Sequence, residues 1–119
     1  MPIPFIAYNL HDSVIAAITL EKEDRLLIDI ELYPIYYPEE SSIQLIFSGI
    51  SNQKEVAAFH SEVMALVSRE GRLGYRVDEF KYLEGSSFED KQLSLYLAVD
   101  HLQPLIIQCK KYRFASTIK

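Results

Sequence analysis

Three histidines, one cysteine and two sets of neighbouring carboxylates are the side chains of this 119-residue sequence best suited to chemistry. Zinc would need several His or Cys ligands brought together, and sequence-local pairs two to five residues apart are the usual sign. His11, His60, His101 and Cys109 have no such spacing, so neither a metal nor another cofactor is expected. His60 follows Val56 by four residues and precedes Val63 by three, which reads as a histidine packed at the edge of an apolar stripe. His101 follows Asp100 in a polar turn and is most simply solvated. Cys109 ends the run Leu105-Ile106-Ile107-Gln108-Cys109, where no local group would take its proton, and reads as a small apolar strand residue. Phosphate loops, nucleophile elbows, His-Glu-x-x-His and Cys-x-x-Cys are all missing from the sequence. No catalytic residue is therefore assigned.

A polar tripeptide, His11-Asp12-Ser13, precedes the first alternating segment. Asp12 and Ser13 can each accept backbone amides one or two residues on, so an Asx-type turn aiming the chain into a strand is the structural expectation. The alternative is a polar site in which His11, Asp12 or His60 serves a small enzyme or ligand-binding domain from a pocket between helix and sheet.

The clearest candidate surface is acidic and aromatic. Asp29, Glu31, Tyr33, Tyr36, Tyr37, Glu39 and Glu40 fall within twelve residues that contain no basic side chain. Tyrosine buries a large ring while keeping a polar tip, a combination enriched at interfaces, and carboxylates around it would steer a basic partner. Capping one end of the core is the competing role for these rings. The charge is polarised along the chain: residues 1–62 carry ten acidic and three basic side chains, residues 63–119 seven and nine. The basic stretch Lys110-Lys111-Tyr112-Arg113-Phe114 interleaves cations with aromatics as single-strand binders do. In a protein of pI about 5.1 it fits better as the charged edge strand that discourages aggregation, so no nucleic-acid partner is expected.

These residues must be positioned by an antiparallel framework. Val14, Ala16, Ile18 and Leu20 alternate, as do Leu26, Ile28, Ile30 and Leu32, so residues 14–32 predict one hairpin closed by a polar turn. Pro34 and Pro38 bracket Ile35-Tyr36-Tyr37 and confine that segment to a sheet edge or an extended loop. Ile43, Leu45 and Phe47 resume the alternation before Gly49. Asn52 and Glu55 have capping-box spacing, and Val56, Phe59, Val63 and Leu66 share a helical stripe, predicting a helix over about 53–69 stopped by Gly71. Residues 75–83, 92–99 and 105–114 read as three further strands. The expected fold is α+β: a single antiparallel sheet of about six strands covered by one helix.

The length suffices to bury a core without disulfides or metal, and no linker divides it, so residues 1–119 are expected to form a single domain. No apolar run reaches the length of a membrane span, no charged-then-apolar leader opens the sequence, and one cysteine cannot close an internal disulfide; a cytoplasmic setting with no membrane partner follows. Leu10-His11-Asp12-Ser13, Leu45-Ile46-Phe47-Ser48-Gly49-Ile50-Ser51-Asn52 and Leu105-Ile106-Ile107-Gln108-Cys109, in that order, resemble small bacterial β-rich proteins of uncharacterised families, some of them immunity proteins of polymorphic or contact-dependent toxin systems. The resemblance implies a non-enzymatic inhibitor that occludes another protein. Together with the acidic tyrosine cluster it gives the functional expectation of a protein-interaction domain for a basic partner, with homo-oligomerisation left open.

Overall fold

The computed structural model describes residues 10–22, 24–38, 42–71, 75–87 and 89–116. The hairpin is present: β1 (Val14–Glu21) and β2 (Arg25–Glu31) pair antiparallel, with Lys22 at φ +54 in the connecting turn. Strand β2 alternates as its sequence requires, burying Leu26, Ile28 and Ile30 and turning Asp29 and Glu31 to the other face. Strand β1 departs from a uniform alternation. A bulge between Ile15 and Ala17 leaves Ala16 exposed, so the buried positions are Ile15 and Ile18. One extra residue in a strand shifts the phase of every side chain before it.

Strand β3 (Ser42–Ser48) pairs with β2, and β7 (Lys111–Ser116) pairs with β3, giving a four-stranded sheet in the order β1-β2-β3-β7. A second antiparallel sheet holds β4 (Val77–Tyr82), β5 (Leu93–Val99) and β6 (Leu105–Cys109) in sequence order. The fold is thus α+β and antiparallel, but its seven described strands form two sheets rather than one sheet of six. The cause lies at Lys110, where the segment expected as one strand over 105–114 breaks and changes sheet. The Lys110 N–H donates to the carbonyls of Ser48 (3.1 Å) and Gly49 (3.2 Å), drawing the end of β6 onto the end of β3. Gly49 has φ +68, and a Cβ there would stand 2.9 Å from that of Lys110, so the corner closes only around glycine.

A second junction lies at the opposite edge. Val14 and Arg76 form a bridge, the Ile15 N–H donates to the Tyr75 carbonyl, and that of Val77 to the Ser13 carbonyl. From there β4 crosses the first sheet: Phe80 meets Phe47 of β3 edge-on at 6.1 Å between ring centroids, and Tyr82 meets Tyr112 of β7 at 6.0 Å. Crossing four strands takes three inter-strand spacings, about 14 Å, and the run from Val77 to Tyr82 supplies about 17 Å. Strand β4 therefore runs across the strands of the first sheet, and the two sheets are joined at two corners. Their inner faces share one apolar cluster containing Phe47, Ile28, Leu45, Leu95, Leu97 and Ile107. Strand β7 is an edge of its sheet among the described residues, with Lys111 and Arg113 exposed, as expected of the basic segment.

Helix α1 (Gln53–Glu70) lies against β6 and β1. Val56, Phe59 and Val63 are buried, and Leu66 is half-buried. Gly71 ends it at φ +81, donating its N–H to the Val67 carbonyl at 2.7 Å. The capping box is not formed. Asn52 makes no side-chain bond to the helix backbone; its amide donates to the Ile106 carbonyl at 2.6 Å, and its Oδ1 accepts the Gln108 N–H at 2.9 Å. With the Ser51 N–H on the Gln108 carbonyl at 2.8 Å, these bonds occupy the outer edge of β6 as a further strand would. A lost cap costs about 1 kcal/mol, and two strand-edge bonds of about 0.5–1.5 kcal/mol each offset it. Among the described residues no helix is long and apolar enough to cross a membrane.

Candidate functional site

Between β2 and β3 the chain makes a hydrogen-bonded turn rather than an edge strand. The Tyr33 carbonyl accepts the N–H groups of both Tyr36 and Tyr37 at 3.1 Å. Pro34 enters the turn with φ already fixed, which lowers the cost of closing it. The turn pushes an aliphatic side chain outward: Ile35 is 74% exposed and Tyr36 44% exposed. The Tyr33 and Tyr36 rings meet edge to face at 5.3 Å, which stiffens the projection. Tyr37 instead packs against the core, as in the capping role, so the three tyrosines divide between the two roles the sequence allowed.

Among the carboxylates, Glu31 is exposed on the adjoining strand, while Asp29 is half-buried and accepts a hydrogen bond from Gln44 Nε2 at 2.9 Å. Glu39 and Glu40 lie outside the described residues. Ile35 belongs to this surface and was not among the residues singled out from sequence. The signal was available: an aliphatic between Pro34 and Tyr36, in a segment with no core periodicity, has no inward face to occupy.

The polar tripeptide turns out to support this loop. Leu10, His11, Asp12 and Ser13 make a β-turn closed by the Ser13 N–H on the Leu10 carbonyl at 2.9 Å, with Asp12 at φ +67. The expected Asx-type bonds are replaced by main-chain ones, the Asp12 N–H donating to the Val77 carbonyl at 2.9 Å. The Ser13 side chain is fully buried, and its Oγ accepts the Tyr33 N–H at 3.0 Å. Two sequence candidates thus meet there, the hydroxyl fixing the base of the aromatic turn. His11 is exposed, with Nδ1 3.0 Å from the Asp78 carbonyl and Nε2 3.6 Å from an Asp12 oxygen. The bond to that carbonyl, and then the Asp12 charge, hold its pKa above the ordinary 6.5. His60 sits half-buried on α1, away from this turn.

Two of the grooves bounded by the described residues bear on a small-molecule reading. One, of about 680 Å³, opens beside the β4–β5 loop and carries Glu84, Asp90, Lys91 and Lys110 together with Gln92 and Gln108. The other, of about 340 Å³, runs between α1 and β6 and carries Glu55 and Glu62 above Phe59 and Ile106. A groove between helix and sheet therefore exists as the alternative reading required, but His11, Asp12 and His60 line neither. Cys109 is buried, and burial pushes its thiol up to about 12, which leaves it protonated and a poor nucleophile at neutral pH. Tyr82 beside it is likewise pushed up to about 12 by burial. Among the described residues no three His, Cys, Asp or Glu side chains converge on a point where a metal ion could sit. Comparison with protein-family models, with curated proteins and with solved structures gives no match for this chain.

Proposed function

We propose that the protein is a non-enzymatic interaction domain that engages a basic protein partner through the β2–β3 turn, with Ile35 and Tyr36 as the apolar anchor and Glu31 beside them as a steering charge. The observation that carries this reading is Ile35. A hydrogen-bonded turn, fixed from below by Ser13, holds a large aliphatic in water beside a half-exposed tyrosine, and a partner's surface is what would bury both. The mechanism is steric occlusion of the partner with electrostatic steering of the encounter. The likeness of the Leu10–Ser13, Leu45–Asn52 and Leu105–Cys109 segments to immunity proteins supports an inhibitory role in a bacterial cytoplasm.

The test is affinity capture from the native host, identification of the captured protein by mass spectrometry, and rate measurement on the purified pair. Ile35→Ala or Tyr36→Ala raises the off-rate, each costing on the order of 2 kcal/mol if it is a hot spot, with little change in on-rate. Glu31→Lys slows association and flattens its salt dependence. A partner that binds all three variants at wild-type rates would place the interface elsewhere.

A further inference from the structure

The groove between α1 and β6 has a chemistry of its own, independent of the β2–β3 turn. It is an open surface groove of about 340 Å³ between the helix and the outer strand. It stands at the small end of the roughly 300–1,000 Å³ range of small-molecule sites, and its buried lining residues, Phe59 and Leu105, offer no polar group to orient such a ligand. Strand alternation sends Leu105, Ile107 and Cys109 into the core and turns Ile106 out, where it is 40% exposed. Its cross-strand neighbour is Tyr96, whose ring carries the Lys81 ammonium at 5.4 Å, so the apolar floor ends at Ile106.

Two observations define what fits. Asn52 already occupies the Ile106 carbonyl and the Gln108 N–H, and the Ser51 N–H the Gln108 carbonyl, so most of this strand edge is taken and an occupant docks chiefly by its side chains. Glu55, which accepts a hydrogen bond from Asn52 Nδ2 at 3.2 Å, and Glu62 stand exposed on the helix side of the groove, about two turns or 10.5 Å apart along the axis, and among the described residues no basic side chain lines it. A second helix lying alongside presents residues seven apart at the same spacing. We propose that this groove docks a cationic amphipathic helix of another protein, with an aliphatic side chain seated on Phe59, Leu105 and Ile106 and Lys or Arg residues two turns apart on Glu55 and Glu62.

The experiment uses the full chain and a fluorescent synthetic helix of Lys and Leu, with leucines at helical three- and four-residue spacing, read by anisotropy at low salt. A Glu/Leu peptide of the same pattern is the control. The Lys/Leu peptide binds saturably and the control does not, and amide resonances shift at Ala58, Phe59, Leu105 and Ile106. The double variant Glu55→Gln/Glu62→Gln weakens binding about fivefold and flattens its salt dependence, Ile106→Lys weakens it about tenfold, and Tyr36→Ala leaves it unchanged. All four positions are exposed, and circular dichroism verifies each fold; if Ile106→Lys unfolds the chain, the Glu→Gln pair and the resonance map decide. Absence of binding, equal binding of the two peptides, unchanged affinity in the groove variants or shifts confined to the Ile35–Tyr36 turn would overturn the proposal. A concentration-dependent dimer abolished by Ile106→Lys would do so too, making a second copy of this chain the occupant.

Discussion

His11 sits in the open, yet its imidazole is tied to the Asp78 carbonyl and lies beside Asp12, and both interactions favour the protonated ring. A group whose folded pKa is raised stabilises the fold most fully below its unfolded value, near 6.5, and that contribution is lost as pH rises through the folded value. An NMR titration of the His11 ring should therefore give a midpoint above 6.5. Asp12→Asn should lower it without returning it fully, because the carbonyl bond contributes more than the Asp12 charge. Of the polar tripeptide, sequence made legible that it turns the chain into the first strand. It could not show that Ser13 reaches twenty residues along to the Tyr33 N–H, since that bond depends on the β1–β2 register, which places Val14 opposite Glu31. Asn52 teaches the same lesson: its spacing to Glu55 suits a cap, but a strand edge 54 residues away competes for its amide and wins.

At the scale of elements, the helix, its Gly71 stop and the alternating strands were readable because each follows from local periodicity. The two places where the expected architecture failed are both slips of phase. Buried side chains are at Ile15 and Ile18, three apart, so the strand must accommodate one extra residue. Inward positions are odd from Leu105 to Cys109, yet Tyr112 packs on the core from an even one, and the slip falls at Lys110, where the chain changes sheet. That corner predicts a difference between two glycines. Gly49 and Gly71 both have positive φ, so alanine at either costs about 1–2 kcal/mol in backbone conformation. A Cβ at Gly71 meets nothing within 4 Å, whereas at Gly49 it meets the Lys110 Cβ, so urea denaturation should show Gly49→Ala to be the more damaging. Phe59→Ala, which empties a buried ring between helix and sheet, should cost roughly 3–5 kcal/mol; a loss below 1 kcal/mol would mean that the helix is not docked as described.

Across the whole molecule, the β2–β3 turn and the α1–β6 groove are separate surfaces. The turn was legible in the sequence as a cluster of tyrosines between prolines, but which rings face water was not, because Tyr33, Tyr36 and Tyr37 are chemically alike and only the fold of the turn sorts them. The groove was invisible to a linear reading, since Phe59 and Ile106 come together only when the helix packs against β6. The proposed interface makes Ile35 and Tyr36 the anchor for a basic protein. Its most direct test is site-specific photo-crosslinking in the native host, with p-benzoylphenylalanine replacing Tyr36 in one protein and Met64, on an exposed face of the helix, in another. One dominant adduct should form from position 36, with a protein of basic isoelectric point, and be competed away by unlabelled wild type, and none should form from position 64. An adduct from position 64 with none from position 36, or an adduct from position 36 that wild type does not compete, would contradict that interface.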